Sequence, residues 1–118
     1  MRRKVLGSLL VSMLLLVGAN TAYAASASSV TIAYNTATMH FHGRVSSANA
    51  ECVAHRTVRV YKVTPGGPVL QGTDTAGTRG GWTVDLMHAH GDYYAVAIRQ
   101  MVMTSLCLRS RSATLPVM

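Results

Sequence analysis

Thr57-Val58-Arg59-Val60-Tyr61-Lys62-Val63, followed at once by Thr64-Pro65-Gly66-Gly67-Pro68, decides how this chain folds. Val58 and Val60 face one way and Arg59 and Tyr61 the other, the period-two alternation of a strand buried on one side. The Pro-Gly-Gly-Pro run that ends it is the clearest turn in the sequence. The same alternation recurs on both sides. Upstream, Met39, Phe41, Gly43 and Val45 alternate with His40, His42 and Arg44; downstream, Trp82, Val84 and Leu86 alternate with Thr83 and Asp85.

Val30 to Tyr34 reads as a first strand ending at Asn35, and Ser46 to Glu51 as a loop leading to Cys52. Val69 to Gly72 reads as a short edge strand open to strand addition, and Thr73 to Gly80 as a polar connection. Asp92 to Met103 is expected to be a strand with Tyr94, Val96 and Ile98 facing the core and Tyr93 and Arg99 pointing away. Ala113 to Val117 closes the domain. No segment has a convincing amphipathic helical pattern. About seven short strands with turns at this spacing predict an all-β fold, a single small antiparallel β-sandwich of the Ig-like or transthyretin-like kind. Its expected core is Phe41, Val45, Val58, Val60, Trp82, Val84, Leu86, Tyr94, Val96 and Ile98.

The chain opens with an export signal: Arg2, Arg3 and Lys4, then an apolar run from Val5 to Val17, then Ala22-Tyr23-Ala24. The run is shorter than the roughly 20 residues that span a bilayer, so residues 1–24 read as a signal peptide for the general secretory route, cleaved after Ala24. Residues 25–29 read as a small-residue linker and 30–118 as the sandwich domain. The mature protein is expected to be secreted or periplasmic, with no further membrane span.

Cleavage of 24 of the 118 residues leaves 94 and two cysteines, Cys52 and Cys107. An even pair in a small exported domain is expected to form a disulfide, and closing that loop stabilises by about 4 kcal/mol in the chain-entropy account. The absence of a Cys-x-x-Cys pair argues against a reactive thiol or a thiolate metal site.

Without Arg2, Arg3 and Lys4 the eleven basic residues become eight, against Glu51, Asp74, Asp85 and Asp92, for a net charge of +4. Lys62 is the one lysine among them; the others are Arg44, Arg56, Arg59, Arg79, Arg99, Arg109 and Arg111. Guanidinium groups suit bidentate contacts with carboxylate, sulfate or phosphate. Export and the lack of any recognition motif disfavour a nucleic-acid partner, and none is expected.

The spacing Phe41-x-Gly43-x-Val45, Cys52, Arg56-x-Val58-x-Val60, Thr75 with Gly81-Trp82-x-Val84, Gly91-Asp92-Tyr93-Tyr94-Ala95, Cys107 and Ser112 resembles small bacterial secreted domains. These are similar to transthyretin-like and carboxypeptidase regulatory-like β-sandwiches. The resemblance implies a noncatalytic accessory, adhesive or ligand-binding module and transfers no catalytic residue. Gly77-Thr78-Arg79-Gly80-Gly81 is longer than that group's usual turn before the Trp82 strand.

Two chemistries remain open. Outward-facing Arg44, Arg59, Tyr61, Tyr93 and Arg99 suit contact with an anionic polymer or a protein of the cell envelope, because arginine and tyrosine are favoured interface anchors. Alternatively, His40 and His42 on one strand face, together with His88 and His90, form a copper or zinc site if the two pairs converge; Met39, Met87, Met101 and Met103 fit copper(I) or ordinary packing. No Gly-x-Ser-x-Gly elbow, carboxylate pair or phosphate-cradling loop is present, so an enzyme is not expected and no cofactor is assigned.

Overall fold

The computed structural model describes residues 25–118, so the expected signal peptide and its cleavage point lie outside the described residues. Twelve short strands and one 3-10 turn follow in order: β1 Ala25–Ser26, β2 Ser28–Val30, β3 Ala33–Asn35, β4 His40–Ser47, the turn Ala50–Cys52, β5 Thr57–Thr64 and β6 Gly67–Thr75. They continue as β7 Gly81–Asp85, β8 Gly91–Ala97, β9 Gln100–Val102, β10 Ser105–Cys107, β11 Ser110–Arg111 and β12 Leu115–Val117. Some are pieces of interrupted strands. β2 and β3 pair with successive stretches of β4, and β11 and β12 with successive stretches of β8; together with the separate small sheet β1–β10–β9 this accounts for the excess over the seven expected.

The two main sheets form the sandwich. One runs β2/β3, β4, β7; the other runs β11/β12, β8, β5, β6. Phe41, Val45, Val58, Val60, Trp82 and Val84 of the expected core are all buried, with Leu86 packed partly against them. Full burial of each large apolar side chain stabilises by about 1.5–3 kcal/mol. Gly43 is required where β4 passes the link between β2 and β3: a Cβ there would lie 1.9 Å from the Thr31 carbonyl oxygen and 2.8 Å from the Trp82 ring.

Asp74 ties the β6 and β7 edges together, its carboxylate accepting from the Thr83 N–H at 2.8 Å. On the opposite side, where the β2/β3 and β11/β12 edges meet, a groove of about 330 Å³ stays open between Val30–Ile32 and Ala113–Leu115.

Four sequence expectations are corrected. Residues 25–29 are not a linker, because Ala25–Ser26 pairs in parallel with Leu106–Cys107 and Ser28–Val30 pairs with β4, small side chains permitting both close approaches. The edge strand is longer than Val69–Gly72, since β6 runs from Gly67 to Thr75 with an irregularity opposite Val60 and Tyr61. The strand from Asp92 stops at Ala97; the Ile98 carbonyl is taken by Arg56 and the Gln100 side chain accepts from the Thr57 N–H, so β9 turns off to pair with β10.

The fourth correction inverts β8. Tyr93, Ala95 and Ala97 face the core, whereas Tyr94 and Val96 face outward. Registers Val58↔Ala97 and Val60↔Ala95 set small alanines against bulky valines, and that volume match decides which face is inner. Ile98 is only half-buried.

Cys52 and Cys107 form the expected disulfide, with Cα atoms 5.4 Å apart, and pack with Val102 in a small second core. Beside it lies Arg56, fully buried. Its Nη1 donates to Ser28 Oγ at 2.7 Å and the Cys52 carbonyl at 2.9 Å; its Nη2 donates to the Ile98 and Leu108 carbonyls, each at 3.0 Å. The guanidinium thus joins β2, the disulfide-bearing turn and the chain on both sides of the β9–β10 hairpin. Burial pushes its pKa below the ordinary arginine value, since desolvation disfavours the charged form.

Candidate binding face

The outer face of the β11/β12–β8–β5–β6 sheet brings aromatic and arginine side chains together. There the period-two rule sets Arg59, Tyr61 and Val63 of β5 beside Tyr94 and Val96 of β8, because alternate residues share a face. Arg59 and Arg111 flank Val96 in one cross-strand row. In the next row Tyr61 stacks on Tyr94, ring centroids 5.5 Å apart and planes inclined by 23°.

The Arg111 guanidinium lies over Tyr94 with its carbon 3.7 Å from the ring centroid. Strand order places Tyr94 between Tyr61 and Arg111, so three planar groups form a ladder across three strands. A cation over a tyrosine ring at an exposed site is worth about 0.5–1 kcal/mol, enough to favour one orientation of an otherwise mobile side chain. Leu70 is paired opposite Tyr61, and Leu70 and Val63 add exposed apolar surface toward the β6 edge.

The acidic residues are mostly engaged elsewhere. Glu51 accepts from Ser105 and Thr104, Asp74 accepts from Thr83, and Asp85 sits on β7 opposite His40. Asp92 alone lies at an end of this sheet's outer face, across from Pro116.

Of the five residues expected to form an interface, Arg59 and Tyr61 are brought together here. Arg99 is exposed in the chain just beyond β8. Arg44 is exposed on β4, in the other sheet. Tyr93 is removed from the set: it is 1 % exposed, its ring 4.7 Å from Phe41, and its hydroxyl accepts from the His90 N–H and donates to the His90 carbonyl, both at 3.0 Å. Alternation alone had no polar residue between Tyr93 and Ile98 by which to mark the outer face.

Tyr94 and Arg111 are the members that sequence reasoning missed. Their pairing depends on β11 docking beside β8, seventeen residues away in sequence, and no local pattern carries it. Arg56 was legible in principle. In Arg56-x-Val58-x-Val60 it shares the parity of two core valines, which points its side chain inward.

The histidine pairs do not form a joint site. His40 and His42 lie on the outward face of β4 with ring centroids 5.9 Å apart, His88 and His90 lie between β7 and β8, and among the described residues no three His, Cys, Asp or Glu side chains come together as metal ligands. Met87, Met101 and Met103 are exposed and Met39 is half-buried, so these thioethers are not core filling. Among the described residues no helix is long and apolar enough to cross a membrane.

No protein-family model matches the chain, and no curated protein matches it. Among solved structures the chain is similar to a Fn3-like protein from Clostridium thermocellum, with 16% sequence identity, 79% of this chain and 94% of that chain covered, and a TM-score of 0.42. Strand pairing and the Cys52–Cys107 bridge define its class: a small, disulfide-bonded β-sandwich.

Proposed function

We propose that this chain is an exported, noncatalytic binding module, of the transthyretin-like or carboxypeptidase regulatory-like kind its sequence resembles, and that it contacts an anionic polymer of the cell envelope. The observation that carries the reading is the Tyr61–Tyr94–Arg111 ladder beside Arg59. A guanidinium held against a ring keeps its N–H edge free for carboxylate or phosphate, and loses less conformational freedom on binding than a mobile side chain. The flanking tyrosine and apolar surface suits the nonionic part of such a polymer.

The test is retention of the native protein on the envelope before and after a high-salt wash, because exposed charge contacts are screened by salt. Wild type is expected to be retained and released by salt, and the Arg59→Glu, Arg111→Glu double variant to be lost into the soluble fraction. Equal retention of the two proteins refutes the assignment of this face.

A further inference from the structure

We infer that His40 and His42 form a two-imidazole site for a divalent transition-metal ion, copper(II) in preference to zinc, on the outer face of β4. The site lies on the other sheet from the proposed binding face and does not rest on that reading. His40 and His42 stand either side of Phe41, which is fully buried and packs against Tyr34 and Tyr93, ring centroids 4.7 Å away in each case. At these three residues β4 is also paired on both sides, with Ala33–Asn35 of β3 and with Thr83–Asp85 of β7. The backbone that carries the two imidazoles is therefore fixed before any ion arrives, and the ordering cost of binding is confined to ring rotation.

Residues two apart on a strand project from one face, and the two rings have centroids 5.9 Å apart with planes at 83°. A metal–nitrogen bond of about 2.0–2.1 Å puts each ring centre about 3.2 Å from the ion, so two imidazoles can share one ion with centres up to about 6.4 Å apart. The observed spacing lies inside that limit. His40 Nε2 is 3.5 Å from Thr38 Oγ1. An Nε2–H donating to that hydroxyl leaves the Nδ1 lone pair for the ion, the arrangement by which a second partner orients a ligating histidine.

The flanking strands leave room for a cation. Asn35 and Asp85 stand beside His40, and Ala33 and Thr83 beside His42; all four are short, one is negative and none is positive. Arg44 follows two residues after His42 on the same face, so Asp85 makes the His40 end the favourable one for positive charge. With two protein donors the remaining coordination positions fall to water, which makes the ion exchangeable and leaves folding independent of it. Imidazole suits copper and zinc, and at a given nitrogen site copper(II) binds the more tightly. His88 and His90 lack this setting: they lie outside any strand, in the connection between β7 and β8, with His88 at a φ of 55°.

Calorimetric titration of the native protein with copper(II) chloride and with zinc chloride tests the inference. One ion per chain is expected, copper(II) bound more tightly than zinc. His40→Ala and His42→Ala should each weaken copper(II) binding by about tenfold or more, and the His88→Ala, His90→Ala double variant should bind as wild type does. Substoichiometric copper(II) added to wild type gives a reading independent of any variant: paramagnetic broadening of the nuclear magnetic resonance spectrum should reach the amide signals of His40, His42 and Thr83 to Asp85 first. Wild type that binds neither ion, undiminished binding by both single variants, or broadening that begins at His88 and His90 or at the chain's N-terminus overturns the proposal.

Discussion

Tyr93 and Tyr94 are neighbours in sequence and both nearly buried, yet they belong to different regions of the molecule. On the inner face of the β8–β5 sheet, Tyr93 packs against Phe41 and spends its hydroxyl on the His90 backbone. On the outer face, Tyr94 is enclosed between Tyr61 and a charged side chain, Arg111. The inner face is closed by a second sheet, whereas on the outer face Tyr94 is covered by the Tyr61 ring and the Arg111 side chain. Burial therefore has two sources here: packing between sheets inside, and contact with side chains of the same sheet outside.

Arginine repeats the contrast. Arg56 is enclosed by four acceptors from separate parts of the chain, whereas Arg111 rests on a ring at the surface. If the interior depends on its polar cross-link, Arg56→Ala should have the largest effect of any change considered, a loss of about 4 kcal/mol or more, because it leaves buried acceptors unpaired at about 1–3 kcal/mol each. Urea denaturation measures this, and a loss below about 1 kcal/mol would show that water replaces the guanidinium. Replacing Cys52 and Cys107 together with Ser should cost about 4 kcal/mol through the unfolded chain. Tyr93→Phe should cost about 1 kcal/mol, the value of its hydrogen bonds to His90.

The division between the two faces was legible wherever a polar residue alternates with an apolar one. His40, His42 and Arg44 mark the outside of β4, and Thr83 and Asp85 the outside of β7, and both strands carry the expected core residues. In Tyr93-Tyr94-Ala95-Val96-Ala97 every residue is buried, so hydropathy has no period to report. There the side chains that are smallest, Ala95 and Ala97, face the centre, and only packing against Val58 and Val60 decides that. The Arg111–Tyr94 contact is a product of tertiary pairing and left no trace in local sequence. Ala25 to Ser29 misled for the reverse reason: small polar residues suit a linker as well as a strand that must approach its neighbour closely.

The sharpest use of the comparison is the smallest change to the outer face, Arg111→Lys. It keeps the charge but removes the planar group that lies over Tyr94, so stability should change by less than about 1 kcal/mol, the scale of an exposed cation–π contact. Binding should respond differently from stability. If the oriented guanidinium makes bidentate contacts, the lysine variant should bind the envelope polymer several-fold more weakly than wild type, with an unchanged salt dependence because the number of charges is the same. If the face acts only through its net charge, the two proteins should titrate identically. The same substitution at Arg99, which is exposed beyond β8, supplies the comparison for a surface arginine outside the ladder and should leave both stability and affinity where they were.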